Sequence, residues 1–218
     1  MKQKLNSIVI IGTGGHATSV LSVAISAGYT IKCFVDKNKK CLSFLGFNIV
    51  NDILELESFF TYNFAIAVGD NASRERIYNQ LKQNYPNLKF PSLISSAASI
   101  CSFSNIKEGT VVMPKAVIGS NTKIGQFCLI NTGSSIDHDC VMSDFSSLAP
   151  AAVTGGNVKI GIRSAISIGA VIKHGIKIGN DCVIGANSYL NKDLPHNKVA
   201  YGVPARQVRN RNIGDPYL

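Results

Sequence analysis

The chain has no tryptophan, only 16% charged residues, and 13 acidic side chains against 22 basic ones. It holds no apolar run near the roughly 20 residues that cross a bilayer as a helix, which excludes a transmembrane-helix protein. Its six cysteines, at 33, 41, 101, 128, 140 and 182, show neither C-x-x-C spacing nor the density of a disulfide scaffold, so they read as reduced thiols. No tract of five or six like charges and no K/R-G-F/Y-G/A-F segment occurs, and both absences argue against a nucleic-acid partner. The opening residues reach a glycine turn after a short apolar stretch, with no A-x-A-like cleavage site, so a cytoplasmic chain is expected. What is present is a chain of 218 residues, 45% hydrophobic, enough for one large domain or two small ones with a sizeable core. Its formal excess of +9 suits a phosphate-rich partner such as a nucleotide or coenzyme.

A six-residue repeat dominates the second half. Stepping by six from Ile94 to Leu190 meets a large aliphatic at sixteen of seventeen positions, Thr154 being the break. Four residues after each, the side chain is mostly small, as at Ala116, Cys128, Ser134, Cys140, Ala152 and Cys182, with Val158 and Ile176 as exceptions. A residue four after one aliphatic is two before the next, and residues two apart on a strand face the same way, so both sets point inward. This is the hexapeptide pattern of a parallel β-helix, in which three hexads make one triangular coil. An amphipathic helix would need a period near 3.6.

Residues 1–92 read instead as a Rossmann-like βαβ domain, with the β-helix domain and its tail over 93–218 and a boundary near Pro91. Ser7–Ile11, Ile31–Asp36 and Asn63–Val68 are predicted strands. His16–Ala27 is a helix closed by Gly28, and a second helix capped by Asp70 or Asn71 ends near Pro86. Gly12-Thr-Gly14-Gly15-His16-Ala17 fits G-x-G-x-x-G/A between strand and helix, with Asp36 nineteen residues further on. The glycines let a diphosphate approach the backbone, and the helix start favours negative charge. About 90 residues supply little more than one mononucleotide-binding half, so a mononucleotide diphosphate fits better than a dinucleotide. The same turn equally serves as a plain strand-to-helix connection. A second cluster, Gly69-Asp70-Asn71 with Arg74, lies at the same expected sheet edge, where Arg74 either faces a phosphate or pairs with Glu75 or Asp70.

In the solenoid, His138 sits between Asp137 and Asp139, so a carboxylate is at hand to orient the ring as a general base. Gly156 lies three hexads on, one coil later, where its N–H could hold a developing oxyanion. A loosened corner with a surface histidine is the bland alternative. His138 and His174 are two coils apart, about 9.6 Å from the inter-strand spacing, too far to share a metal ion, so no metal is expected.

Taken together, Ile11-Gly12-Thr-Gly14-Gly15-His16, Val68-Gly69-Asp70-Asn71, Asn131-x5-Asp137-His138-Asp139-Cys140, Pro150, Gly156-x-Val158-x-Ile160-Gly161 and Tyr201-Gly202-Val203-Pro204-Ala205-Arg206 resemble the bacterial hexapeptide-repeat sugar O-acyltransferase family. That family includes sialic acid O-acetyltransferases and nucleotide-linked 4-amino-sugar N-acetyltransferases. The resemblance implies a homotrimer of left-handed β-helices, acetyl-CoA between neighbouring solenoids, and a nucleotide-linked amino sugar on the N-terminal domain. It implies direct transfer with His138 as base, Asp139 raising its basicity, and the Gly156 amide as oxyanion donor. By motif position, Gly14, Gly15, His16, Asp36, Lys37 and Gly69 would touch the nucleotide sugar, and Ser147, Ile168 and Ala186 would line the coenzyme groove. Two departures stand out: Ser147 where many relatives carry histidine, and Ala151 for a common glycine. The expected reaction is N-acetylation of the 4-amino group of a UDP- or dTDP-linked 4-amino-4,6-dideoxy sugar. O-acetylation of a sialic acid, a non-catalytic nucleotide-sugar scaffold and a nicotinamide oxidoreductase are the alternatives.

Overall fold

Two hydrophobic periods produce two kinds of structure in the computed structural model, which describes residues 6–38 and 41–217. In the first, β1 (Ser7–Ile11) buries Ile8, Val9 and Ile10 in succession, the continuous apolar run of a strand covered on both faces. It pairs in parallel with β2 (Thr30–Val35) on one side and β5 (Asn63–Ile66) on the other. A hairpin of β3 (Ser43–Phe44) and β4 (Phe47–Val50) extends the sheet to the order β3-β4-β2-β1-β5. The sequence reading passes over that hairpin, because strands of two and four residues carry almost no alternation. Their turn is Leu45-Gly46, both at positive φ. Helix α1 (Gly15–Ser26) follows β1 directly, and α2 (Asn71–Asn84) starts at Asp70, whose carboxylate accepts from the Ser73 N–H at 2.8 Å. Because the neighbours of β1 leave it in opposite directions, the carboxyl ends of β1, β2 and β5 border the crevice that such sheets offer to ligands.

From Leu93 the chain winds as a left-handed parallel β-helix of two-residue strands, each pairing with the strand three hexads on, as in Val117↔Ser135 and Lys159↔Lys177. The inward series is as the hexads predict: Ile118, Ile136, Leu148, Ile166 and Ile184 are buried, as are the small partners Cys128, Ser134, Cys140 and Ala152. Burial raises the Cys128 thiol to about 11, which suits a packing role rather than a nucleophile. The corners show a regularity beyond the hydrophobic pattern. From Phe103 to Asn187 every sixth residue has φ between 52° and 76°, glycine or not, including Phe127, Asp139, Phe145, Ala151 and Arg163. The last coil is short by two residues, Val183 pairing with Val199, and the antiparallel hairpin of Lys198–Gly202 with Ala205–Asn210 follows.

The three faces of the coil differ. One, bearing Leu93, Val111 and Leu129, is buried beneath the N-terminal layer, where α1 packs. A second carries the exposed Lys123, Lys159 and Lys177. The third carries Val117, Val153 and Val171, which are 37–43% exposed.

Arg74 corrects an expectation. It is 1% exposed and meets neither a phosphate position nor an acid. Its Nε donates to the Phe127 carbonyl (2.8 Å), Nη1 to those of Val68 and Gly69 (2.9 Å each), and Nη2 to Asn71 Oδ1 (2.6 Å) and the Phe145 carbonyl (3.0 Å). All five N–H donors of the guanidinium are thereby used, and they tie α2 and the end of β5 to two successive coils. Glu75 pairs with Arg163 instead, which also grips Asp181 in a two-bond fork at 2.7 and 2.8 Å. Around this knot Phe90, Phe127, Phe145 and Tyr78 stack on one another.

Candidate active site

The corner between the valine face and the lysine face carries the acid–base residues. The left-handed conformation of Asp139 (φ 57°) turns its carboxylate back onto the preceding side chain, 2.7 Å from His138 Nδ1. Asn121, one coil earlier, donates to the other Asp139 oxygen at 2.7 Å and fixes it. The hydrogen bond from Asp139 and then the charge of Asp137 raise the His138 pKa above its usual range. The carboxylate on Nδ1 leaves Nε2 as the base, and Nε2 faces Gly156, where a Cβ would stand only 2.5 Å from it. At comparable corners the amide is claimed by a side chain of the next coil, Gln126 N by Asp144 and Ile162 N by Asn180. The Gly156 N–H has no such partner among the described residues.

The surrounding frame is rigid. Thr154, the break in the aliphatic series, is buried and accepts from the Asp137 N–H at 3.2 Å, while Thr122 donates to the Asp137 carbonyl at 2.6 Å. Asn121, Thr122 and Thr154 were not anticipated as supports. The spacing of Asn121 from Asp139, one full coil, is the signal that points to one of them. Asp139→Asn should shift the acid limb of the kcat/KM profile to lower pH and lower its plateau, since the raised His138 pKa and the stabilised imidazolium are both lost. An unmoved limb in a pH–rate series would refute that role.

Ile168 and Ala186 stack one coil apart on the opposite edge of the valine face, both exposed, with the Ile168 carbonyl accepting from Asn187 N at 2.8 Å. In one chain, therefore, the base and this stripe sit on different corners. Ser147 does not join them. It points outward from the covered face, buried, where Asn71 Nδ2 donates to its Oγ at 3.1 Å. The tail returns to the same spot: the Asn71 N–H donates to the Tyr217 hydroxyl at 3.0 Å, and Tyr217 packs on Ala165, Val183 and Val199.

At the sheet edge, Gly14 and Gly15 have open space around them. Asp36 accepts from the N–H and hydroxyl of Thr13 and from the Asn38 N–H, which pins the glycine turn to the end of β2. Lys37 pairs with Asp52 at 3.3 Å. His16 lies deeper, its Nε2 buried without a hydrogen-bond partner, and burial followed by the charge of Arg74 lowers its pKa to about 4. The ring is neutral at pH 7. Gly69 gives its carbonyl to Arg74. Among the described residues no three His, Cys, Asp or Glu side chains gather to hold a metal ion, and no helix is long and apolar enough to cross a membrane.

Comparison with known proteins places this geometry. Residues 7–81 match the PglD N-terminal domain family. A variant of perosamine N-acetyltransferase from Caulobacter crescentus, solved with CoA and GDP-perosamine, superposes with a TM-score of 0.87 at 30% identity, over 94% of this chain and 97% of that one. The acetyltransferase domain of PglB from Neisseria gonorrhoeae FA1090 gives 0.87 and 30%, over 93% and 100%. Galactoside O-acetyltransferase of Escherichia coli K12 is 49% identical over 43 residues, 20% of this chain and 21% of that protein. The chain spans about a quarter or less of the length of the first curated relatives it matches. The full-length likeness in fold and sequence, from the glycine turn through the last coil, shows that the chain belongs to the hexapeptide-repeat sugar acyltransferase family.

Proposed function

We propose that the chain transfers the acetyl group of acetyl-CoA to the 4-amino group of a UDP- or dTDP-linked 4-amino-4,6-dideoxy sugar, in the cytoplasm and for surface-glycan assembly. The observation that carries this reading is the His138 imidazole, backed by Asp139 on Nδ1 and presenting Nε2 to the unpaired Gly156 amide. The neutral amine attacks the thioester carbonyl carbon, and its oxygen takes up negative charge against the Gly156 N–H. Nε2 removes the proton from the attacking nitrogen. Collapse expels the thiolate, which takes that proton back from the imidazolium, while Asp139 stabilises the charged ring between the two transfers. The open glycine turn with Asp36, Lys37 and Gly69 receives the nucleotide sugar, and Ile168 and Ala186 line the coenzyme groove.

A homotrimer completes the site. The face of Val117, Val153 and Val171 is the one that is both apolar and uncovered, and it separates the His138 corner from the Ile168–Ala186 corner. A heterologous ring built on that face brings one chain's base to its neighbour's coenzyme stripe. The match to galactoside O-acetyltransferase favours a second reading, with a hydroxyl acceptor. One assay decides between them: thiol release from acetyl-CoA with UDP-, dTDP- and GDP-linked 4-amino sugars, a galactoside and a sialic acid. Release with a nucleotide-linked amino sugar alone is expected. Release with the hydroxyl sugars alone would establish the second reading, and none with any acceptor would mark a scaffold.

A further inference from the structure

The largest concavity of the N-terminal domain lies beyond the glycine turn, a cavity of about 640 Å³ between the carboxyl ends of β1, β2 and β5 and one side of α2. That volume is in the range of small-ligand sites. Its floor is apolar, from Ile11, Val35, Ile53 and Val68. Helix α2 closes it with two adjacent stripes at i, i+4 spacing: Ile77, Leu81 and Tyr85, half-buried, and beside them Arg76, Gln80 and Asn84, exposed. A flat apolar slot edged by carboxamides has the chemistry to take a heteroaromatic ring, with the aliphatic side chains on its faces and the amides on its hydrogen-bonding edge.

The carboxylates bordering the cavity decide which ring. Guanine presents two adjacent N–H donors on its pairing edge, which calls for a carboxylate with both oxygens available. Neither candidate is available. Asp36 gives Oδ2 to Thr13 and Oδ1 to Asn38 N, and Asp52 gives Oδ1 to Leu54 N and Oδ2 to Lys37. A pyrimidine-2,4-dione presents one N–H flanked by carbonyls, which a single carboxamide matches with its own oxygen and NH₂. Gln80 and Asn84 offer such groups, and among the described residues neither is held in a hydrogen bond.

We infer that the Gln80–Asn84 edge of α2 is the base-selecting wall of the nucleotide subsite and that it selects a uracil or thymine diphosphate over a guanine one, with Arg76 as the cation beside it. This rests on the nucleotide-sugar reading above. It sets this chain apart from the perosamine enzyme, which was solved with a GDP-linked sugar.

Calorimetric titration of the full chain with UDP, dTDP and GDP tests the inference, with acetyl-CoA titration and the melting temperature as checks that variants are folded. The wild-type chain should bind UDP and dTDP at least ~10-fold more tightly than GDP, the worth of two neutral hydrogen bonds. The double variant Gln80→Leu/Asn84→Leu, altered on an exposed helix side, should lose that preference while holding acetyl-CoA unchanged. GDP binding as tightly as UDP, a leucine variant that keeps the preference, or no nucleotide bound at all would overturn the assignment. The underlying reading fails separately: pyrimidine preference without acetylation of any nucleotide-linked amino sugar leaves the subsite standing and removes the transferase. Acetylation indifferent to the base does the reverse.

Discussion

Replacing His138 by alanine should lower kcat by about 100-fold or more, the usual loss for a general base, and leave the melting temperature where it was. The ring makes no contribution to the core. It stands on an exposed corner, 53% accessible, with Asp139 as its side-chain partner. Because the base acts on a proton in flight rather than on bound substrate, KM for the nucleotide sugar should move little. Initial-rate kinetics paired with a thermal melt checks both halves of the statement. Near-normal turnover would remove His138 from the mechanism, and Gly156 would lose its assigned part as oxyanion donor with it.

Arg74→Met should do the opposite, lowering stability before it touches chemistry. Methionine fills much of the space but leaves the carbonyls of Phe127, Phe145, Val68 and Gly69 and the amide oxygen of Asn71 without donors. Each buried orphan costs about 1–3 kcal/mol. Allowing for relaxation, a loss of about 4 kcal/mol follows, on the order of a 10 °C drop in Tm for a chain of this size. Arg74→Lys should recover only part of this, since an ammonium carries three donors where five acceptors wait. Urea or thermal unfolding reads the result, and a wild-type Tm for Arg74→Met would contradict the account of the junction.

The solenoid could be read from the sequence because a six-residue period leaves one inward aliphatic per strand, and a coil of three hexads converts sequence distance directly into neighbours. Gly156 beside His138 follows from that arithmetic. So does the separation of His138 from Ile168: five hexads is one coil and two further sides, hence another corner. The choice of Asp139 over Asp137 as partner could not be read, since it depends on the left-handed turn of the corner residue. Arg74 was out of reach for a different reason. Its partners are main-chain carbonyls 53 and 71 residues away, and a carbonyl leaves no trace in a one-letter code. Ser147 shows the same limit, its surroundings being set by the way α2 and the C-terminal tail fold back over one side of the prism.

The strict coil length has a consequence for how such chains can change size. Inserting three hexads between Asp139 and Gly156 would lift the glycine by about 4.8 Å, one inter-strand spacing, and keep it above the imidazole in line. Inserting a single hexad would carry it round to the next edge of the triangle, and inserting one residue would turn the wall inside out. Length variation in this half of the molecule is therefore quantised, and chains that drift apart by insertion should gain or shed whole tiers, or else bulge outward at an edge, while the spacing of the reacting groups stays locked.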